Sequence, residues 1–282
     1  MREKKHLTSQ ERTTLWLSRV IIWVFLIGMI FPLVWVLLSS FQQGNAFNSL
    51  NLIPSRFTTE NYYNLFHDPT NPFGLWVINS MKVCFTVSVI QTFMAVLAAY
   101  AYSRLRFRGR KYGLMTLLIL QMFPNFMAIA AVLTILIRLN LTDSLWGLIL
   151  VLSGANAFNI WLLKGFIDGL PKELDEAVFV DGGNHWTVFT KIILPLARPM
   201  LVVIFLFTFI GVYSEFMLTS AAIHDPLKYT VPLGLRNFIN NQFSTNWTEY
   251  SAAAVLASLP VMIVFMALQR YVESGLTRGA VK

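Results

Sequence analysis

Apolar stretches long enough to cross a bilayer alternate along this chain with polar segments. A helix needs roughly 20 apolar residues to span about 30 Å of hydrocarbon. Six stretches meet that need: Val20–Leu38, Val83–Tyr102, Leu114–Ile137, Leu145–Leu163, Met200–Ala222 and Ser251–Leu268. The pattern predicts an all-α membrane protein with six transmembrane helices. The first stretch holds no ionisable residue, contains Pro32 and ends without a small-residue cleavage site. It is also longer than the about 7–15 residues of a signal-peptide core, so it reads as a retained helix.

One polar segment has a pattern of its own. Between the fourth and fifth stretches, Asp168, Glu173, Asp175, Glu176 and Asp181 make up five of the chain's fourteen acids. Pro171 suits the first turn of a short helix, and acids near that helix's start are favoured by its dipole. Leu170, Leu174, Ala177 and Val178 supply an apolar stripe. Gly182 and Gly183 stop the helix, and Asn184 can cap a second one. Val188, Phe189, Ile192 and Ile193 form the second stripe, which Pro195 is expected to end. The prediction is two short amphipathic helices around a glycine corner. A solvated interhelical loop fits the composition equally well. Connections beyond about 12–15 residues, however, are usually functional or disordered, and this one is patterned, so a docking element for another protein is the sharper expectation.

Composition agrees with the membrane reading: 56% of residues are apolar and 13% charged, against about 25% charged in soluble domains. The net charge of +8 invites a nucleic-acid reading until its placement is considered. Arg2, Lys4, Lys5, Arg12 and Arg19 precede the first stretch; Arg104, Arg106, Arg108, Arg110 and Lys111 follow the second. Lys164, Lys172, Lys191 and Arg198 follow the fourth, and Arg270, Arg278 and Lys282 follow the sixth. The alternate loops hold only Arg56, Arg138, Lys228 and Arg236, with Lys82 left at the mouth of the second stretch. Basic residues mark the cytoplasmic side, so both termini and the acidic hairpin are expected there, and no nucleic-acid partner is implied. The run "RLRFRGRK" also fits a juxtamembrane cluster facing anionic lipid.

Several function classes lack their motifs. No G-x-x-x-x-G-K-[ST] loop is present to cradle ATP, and no H-E-x-x-H or G-x-S-x-G occurs. The lone Cys84 cannot form an internal disulfide. Asn140-Leu-Thr142 and Asn246-Trp-Thr248 match the glycosylation pattern, which is short enough to arise by chance. An ion-gradient-driven carrier would favour paired intramembrane charges and two similar halves; one clear acid, Glu215, and no repeat are found.

The hairpin resembles the cytoplasmic signature of permease subunits of bacterial ABC importers, a Glu-Ala-Ala…Gly…Ile-x-Leu-Pro pattern. Glu176 and Ala177 match its opening, and Val178 replaces the second alanine. Asp181 and Gly182 fall where Asp-Gly is expected, and Gly183 stands where alanine is usual; Ile192, Leu194 and Pro195 keep the spacing. "LIPSRFTTENYYNLF" looks like the first outer loop of carbohydrate permeases. The tail Gly275, Leu276, Thr277, Arg278, Gly279, Ala280, Val281, Lys282 is similar to that of the maltose/maltodextrin type.

The resemblance implies a type I ABC importer permease fold in the bacterial plasma (inner) membrane. Residues 1–19 would form a cytoplasmic tail, 20–40 the first transmembrane helix and 41–74 an extracytoplasmic loop. Residues 75–272 would form the importer transmembrane domain with its coupling hairpin at 168–199, and 273–282 a cytoplasmic tail. It also implies the partners: a second permease in a heterodimer, two ATP-binding subunits that carry ATP and Mg, an extracytoplasmic sugar-binding protein and an oligosaccharide substrate of the maltodextrin type or, as the alternative, another such as the raffinose type. No cofactor is expected on this chain itself. Glu176 and Asp181 would pair with basic residues of an ATPase while Ala177, Phe179 and Val180 pack against it. Gly182 and Gly183 would allow close approach, and Leu194 and Pro195 complete the element. Gly275, Leu276, Thr277 and Gly279 are expected to touch the ATPases as well.

Within the membrane, Gln91, Asn125, Asn156, Asn159, Ser214 and Glu215 are the polar candidates. The first five either line a cavity for sugar or make interhelical contacts, and residue types favour the second. Glu215 lies about 10 Å inside the outer end of the fifth stretch at 1.5 Å per residue. It either faces the translocation cavity or the sister permease, or is a hydrogen-bonded or wetted group.

Overall fold

The computed structural model describes residues 9–44, 53–54, 56–154, 156–239 and 245–278. Its helices are α1 (Ser9–Ser40), α2 (Glu60–His67), α3 (Phe73–Arg104), α4 (Gly113–Gln121), α5 (Ile129–Arg138), α6 (Leu145–Leu152), α7 (Ala157–Asp168), α8 (Glu173–Val180), α9 (His185–Val188), α10 (Leu194–Tyr213), α11 (Met217–Ala222), α12 (Val231–Ile239) and α13 (Trp247–Arg278). Among the described residues the sole β pairing is an isolated bridge between Gln42 and Phe57. The chain divides into two compact units, 1–67 with 238–256 and 68–237 with 257–282.

In the first unit, α1 is apolar around its circumference and buries none of its apolar window, as a helix solvated by lipid does. Its C-terminal carbonyls are met by α2: Asn61 Nδ2 donates to the carbonyl oxygens of Ser40 and Gln42, each at 2.9 Å. Asn246 caps the start of α13, accepting from the Glu249 N–H at 3.1 Å and donating to Glu249 Oε2 at 2.6 Å. Its place in a glycosylation-like triplet thus reflects helix capping. In the other such triplet, Asn140 turns the chain at φ +54°.

The second unit is built around α3, about 48 Å long at 1.5 Å per residue. Ala95, Ala99 and Tyr100 of α3 pack with Ile160 and Leu163 of α7 and with Val203 and Ile204 of α10. The small Ala95 and Ala99 let these helices approach closely where lipid supplies no hydrophobic drive. At one end of α3, Trp76 Nε1 donates to the Pro226 carbonyl at 2.9 Å and Asn79 Nδ2 to that of Leu227 at 2.9 Å. At the other end Arg104 reaches the acidic hairpin. The hairpin and the 223–230 loop therefore sit at opposite ends of one helix.

The six predicted stretches all fall on helix, with a difference. Four helices are long and apolar enough to cross a membrane, or up to six if each bent pair is one span. The third stretch is broken between α4 and α5 by 82°, with Pro124 at the break, and the fourth between α6 and α7 by 49°. The fifth begins earlier than predicted and breaks at residues 214–216: α9, a π turn at Phe189–Ile193 and α10 run on from His185 to Tyr213. Pro195 therefore does not end the second hairpin helix. The widened turn, with the Leu194 N–H bonded to the Phe189 carbonyl, shifts the hydrogen-bond register just before Pro195, so the ring is accommodated without ending the helix.

Candidate functional site

The hairpin holds the first predicted short helix as α8 and a corner of defined geometry, whereas the second helix starts at His185 as predicted but runs on to Tyr213. Asp181 closes α8, and Gly182 follows in the left-handed region at φ +79°. The Gly183 N–H donates to the Val178 carbonyl at 2.8 Å and the Gly182 N–H to that of Phe179 at 3.1 Å. This pair of bonds is a Schellman motif, which satisfies carbonyls that a helix end otherwise leaves bare. Asn184 caps α9 as predicted, in a reciprocal box with Thr187 whose N–H reaches Asn184 Oδ1 at 3.0 Å.

What ties this corner to the membrane helices is mostly polar. Arg104 Nε lies 2.5 Å from Asp175 Oδ2, with both side chains almost wholly buried. Arg104 Nη2 donates to the Leu170 carbonyl at 3.1 Å. Ser103 Oγ donates to Asp168 Oδ1 at 2.5 Å, and Lys164 pairs with the other oxygen of Asp168. Tyr100 OH donates to the His185 carbonyl at 3.1 Å, with the His185 ring 5.1 Å from that of Phe179. Below the corner, Val188, Phe189 and Ile193 are fully inside the core.

Sequence reasoning read Asp175 as a dipole-favoured acid and Arg104 as one of a basic cluster. It missed their pairing. The available signal was position: Asp175 is three residues before Val178, on the inward stripe of α8, where an unpaired acid would be costly.

The face turned away from the core carries the residues expected to dock. Glu176, Ala177, Phe179, Val180, Asp181 and Gly182 are exposed, and Val180 is 87% exposed. Gly183 and Leu194 are half-buried and Pro195 exposed. Trp186 adds an exposed ring beside the corner. The backbone of Gly275, Leu276 and Thr277 continues α13, but their side chains, Gly279 and the Asn125 side chain lie outside the described residues.

The intramembrane candidates part company. Gln91, Asn156, Ser214 and Glu215 line one cavity of about 830 Å³ together with Gln121, which sequence reasoning did not single out. Asn159 does not line it; it is buried and donates to Thr208 Oγ1 at 3.2 Å, linking α7 to α10. Glu215 sits in the break before α11. Its Oε1 accepts the Leu218 N–H at 2.7 Å and its Oε2 the Thr219 N–H at 3.0 Å. Among the described residues no three His, Cys, Asp or Glu side chains are grouped to hold a metal ion.

Residues 91–278 match the family described as binding-protein-dependent transport system inner membrane component. The chain belongs to this family. It is a multi-pass inner-membrane transport subunit rather than an enzyme, and ATP hydrolysis resides in separate subunits. Among similar family members, a galactooligosaccharides transport system permease protein of Bacillus subtilis is 37% identical, the match covering 90% of each chain. A maltodextrin transport system permease protein of Streptococcus pneumoniae is 36% identical over 94% of this chain and 96% of its own. The fold matches a chain of a bacterial ABC transporter involved in the import of the acidic polysaccharide alginate. That match has a TM-score of 0.82 at 22% identity, over 95% of this chain and 100% of the other.

Proposed function

We propose that this permease pairs with a second, different permease to form the path of an ATP-driven importer for maltodextrin-type oligosaccharides. Its 168–199 hairpin docks into cytoplasmic ATPase subunits, both chain termini lie on that side, and an extracytoplasmic binding protein delivers the sugar. The C-terminal residues Gly275, Leu276, Thr277 and Gly279 add a second contact with the ATPases. Maltodextrin permeases at 36% and 34% identity support this substrate class, and a galactooligosaccharide permease at 37% supports a neighbouring one.

The observation that carries the docking reading is the exposed acidic and apolar corner, Glu176 to Gly182, joined to α3 through the buried Arg104–Asp175 pair. A push on the corner reaches the membrane helices through an ion pair and packed core rather than a slack loop, as rigid-body coupling requires.

The test is ATP hydrolysis by the reconstituted complex, with and without a maltotriose-loaded binding protein. Stimulation by the loaded protein, lost in Gly182→Asp while the chain still inserts, is the expected result. Normal sugar uptake by that variant, or sugar movement by this chain without any ATPase, would overturn the proposal.

A further inference from the structure

Three of the chain's apolar stretches break, and all three breaks open on the same cavity. Gln121 ends α4 before the first break, Gly154 and Asn156 lie in the second, and Ser214, Glu215 and Phe216 form the third. Non-helical backbone at membrane depth persists only where protein buries it or water reaches it. A space of about 830 Å³ falls within the roughly 300–1,000 Å³ of small-molecule sites.

Many polar atoms here already serve the fold, so the unspent ones indicate what the cavity takes. Asn156 Oδ1 accepts from the N–H groups of Phe158 and Asn159 and from Gln121 Nε2, leaving its amide nitrogen as a donor. Gln91 Nε2 donates to the Leu152 carbonyl at 2.6 Å, whereas its Oε1 is buried with no hydrogen-bond partner. Glu215 accepts three hydrogen bonds, from the Leu218 N–H, the Thr219 N–H and the Thr219 hydroxyl. A carboxylate offers about four lone-pair sites, so one remains. Among the described residues, no Lys, Arg or His lines the cavity.

We propose that this cavity is a contact site for a neutral oligosaccharide and that Glu215 bars acidic saccharides from it. The inference rests on the permease reading above and adds the charge class of the substrate. Sugar hydroxyls donate and accept at once, matching the remaining acceptor site on Glu215 and the open donor on Asn156. Phe126 and Phe216 give the cavity apolar walls for the carbon faces of the rings. A uronate would set a second carboxylate against Glu215 in a space without a cation, where like charges repel far more than in water.

The experiment uses the whole complex, both permeases and both ATPases, in lipid nanodiscs without binding protein. Photoreactive derivatives of maltotriose, of a galactotriose and of trigalacturonate are irradiated with it, and labelled residues are mapped by mass spectrometry. The expected result is labelling of residues 121–132 and 211–218 by a neutral probe, with the uronate at a tenth of that level or less. Glu215→Gln keeps the size of the side chain and one oxygen for the cap, and should raise uronate labelling at least fivefold. Equal labelling by neutral and acidic probes in the unaltered complex overturns the proposal, as does a uronate level unmoved by Glu215→Gln. Stimulation of the same complex's ATP hydrolysis by a loaded binding protein reports the permease reading independently. A stimulated complex that labels no residue of this cavity overturns the cavity assignment and leaves the permease reading standing.

Discussion

Val178 and Gly183 are in contact across the hairpin corner: a Cβ added at Gly183 would lie 2.5 Å from Val178 Cγ1 and 2.9 Å from its carbonyl oxygen. These are the two positions at which the hairpin departs from the permease signature, which has alanine at both. The larger side chain at one position is matched by the missing one at the other. Gly183→Ala alone should therefore destabilise the corner, since overpacking costs about 1–3 kcal/mol, and should weaken ATPase coupling. Adding Val178→Ala should recover the part of the loss due to Cγ1, but not the part due to the Val178 carbonyl. Thermal unfolding of the four variants of this cycle measures the interaction, and strictly additive effects would refute it.

The Arg104–Asp175 pair is a second point of failure. Both side chains are nearly wholly buried, and removing one partner of such a pair leaves a bare charge at a cost of about 3–5 kcal/mol. Asp175→Asn should lower the unfolding temperature sharply and loosen the hairpin, visible as faster amide exchange over 173–183. Arg104→Met combined with Asp175→Leu should be more stable than Asp175→Asn. A double variant no better than the single would refute the buried-charge account.

At the opposite end of α3, Gly234 of α12 presses on the indole of Trp76, which is fully buried. A Cβ at Gly234 would stand 2.1 Å from Trp76 Cε3, and the ring cannot move away while its Nε1 is bonded to the Pro226 carbonyl. Gly234→Ala should destabilise by at least the about 1–3 kcal/mol of ordinary overpacking. Red-shifted or quenched Trp76 fluorescence, read against a Trp76→Phe control, checks whether the ring is the part displaced.

Acid should loosen the 139–144 and 223–230 loops. The Asp143 carboxylate takes the backbone N–H groups of His224 and Asp225. The His224 bond, with smaller help from Asp225 and nearby cations, holds its pKa below the ordinary 3.8 despite some desolvation. A depressed carboxylate pKa stabilises the fold above the unfolded-state value, and that contribution disappears as pH falls through the folded value. Asp143→Asn should therefore be less stable than the unaltered chain at pH 6, and the difference should close once the pH has fallen through the lowered folded-state value. Thermal melts on the two sides of that value decide it; a gap that persists in acid would exclude this origin.

The sequence by itself determined the solvent and the local architecture. Hydropathy sums over neighbouring residues, so it placed every apolar stretch on helix, and short-range capping rules anticipated α8, the Gly182–Gly183 corner and the Asn184 cap. Each of those depends on atoms within about one helical turn. Tertiary structure decided where the third, fourth and fifth stretches break, because a window average does not register a bend at Pro124 or at residues 214–216. It also decided which polar groups meet: Arg104 finds Asp175, Asn159 finds Thr208, and Gln91, Asn156 and Glu215 gather around one cavity. A polar residue in an apolar stretch must find a partner, and its local sequence carries the need but not the partner, which arrives from a distant segment only when the helices pack.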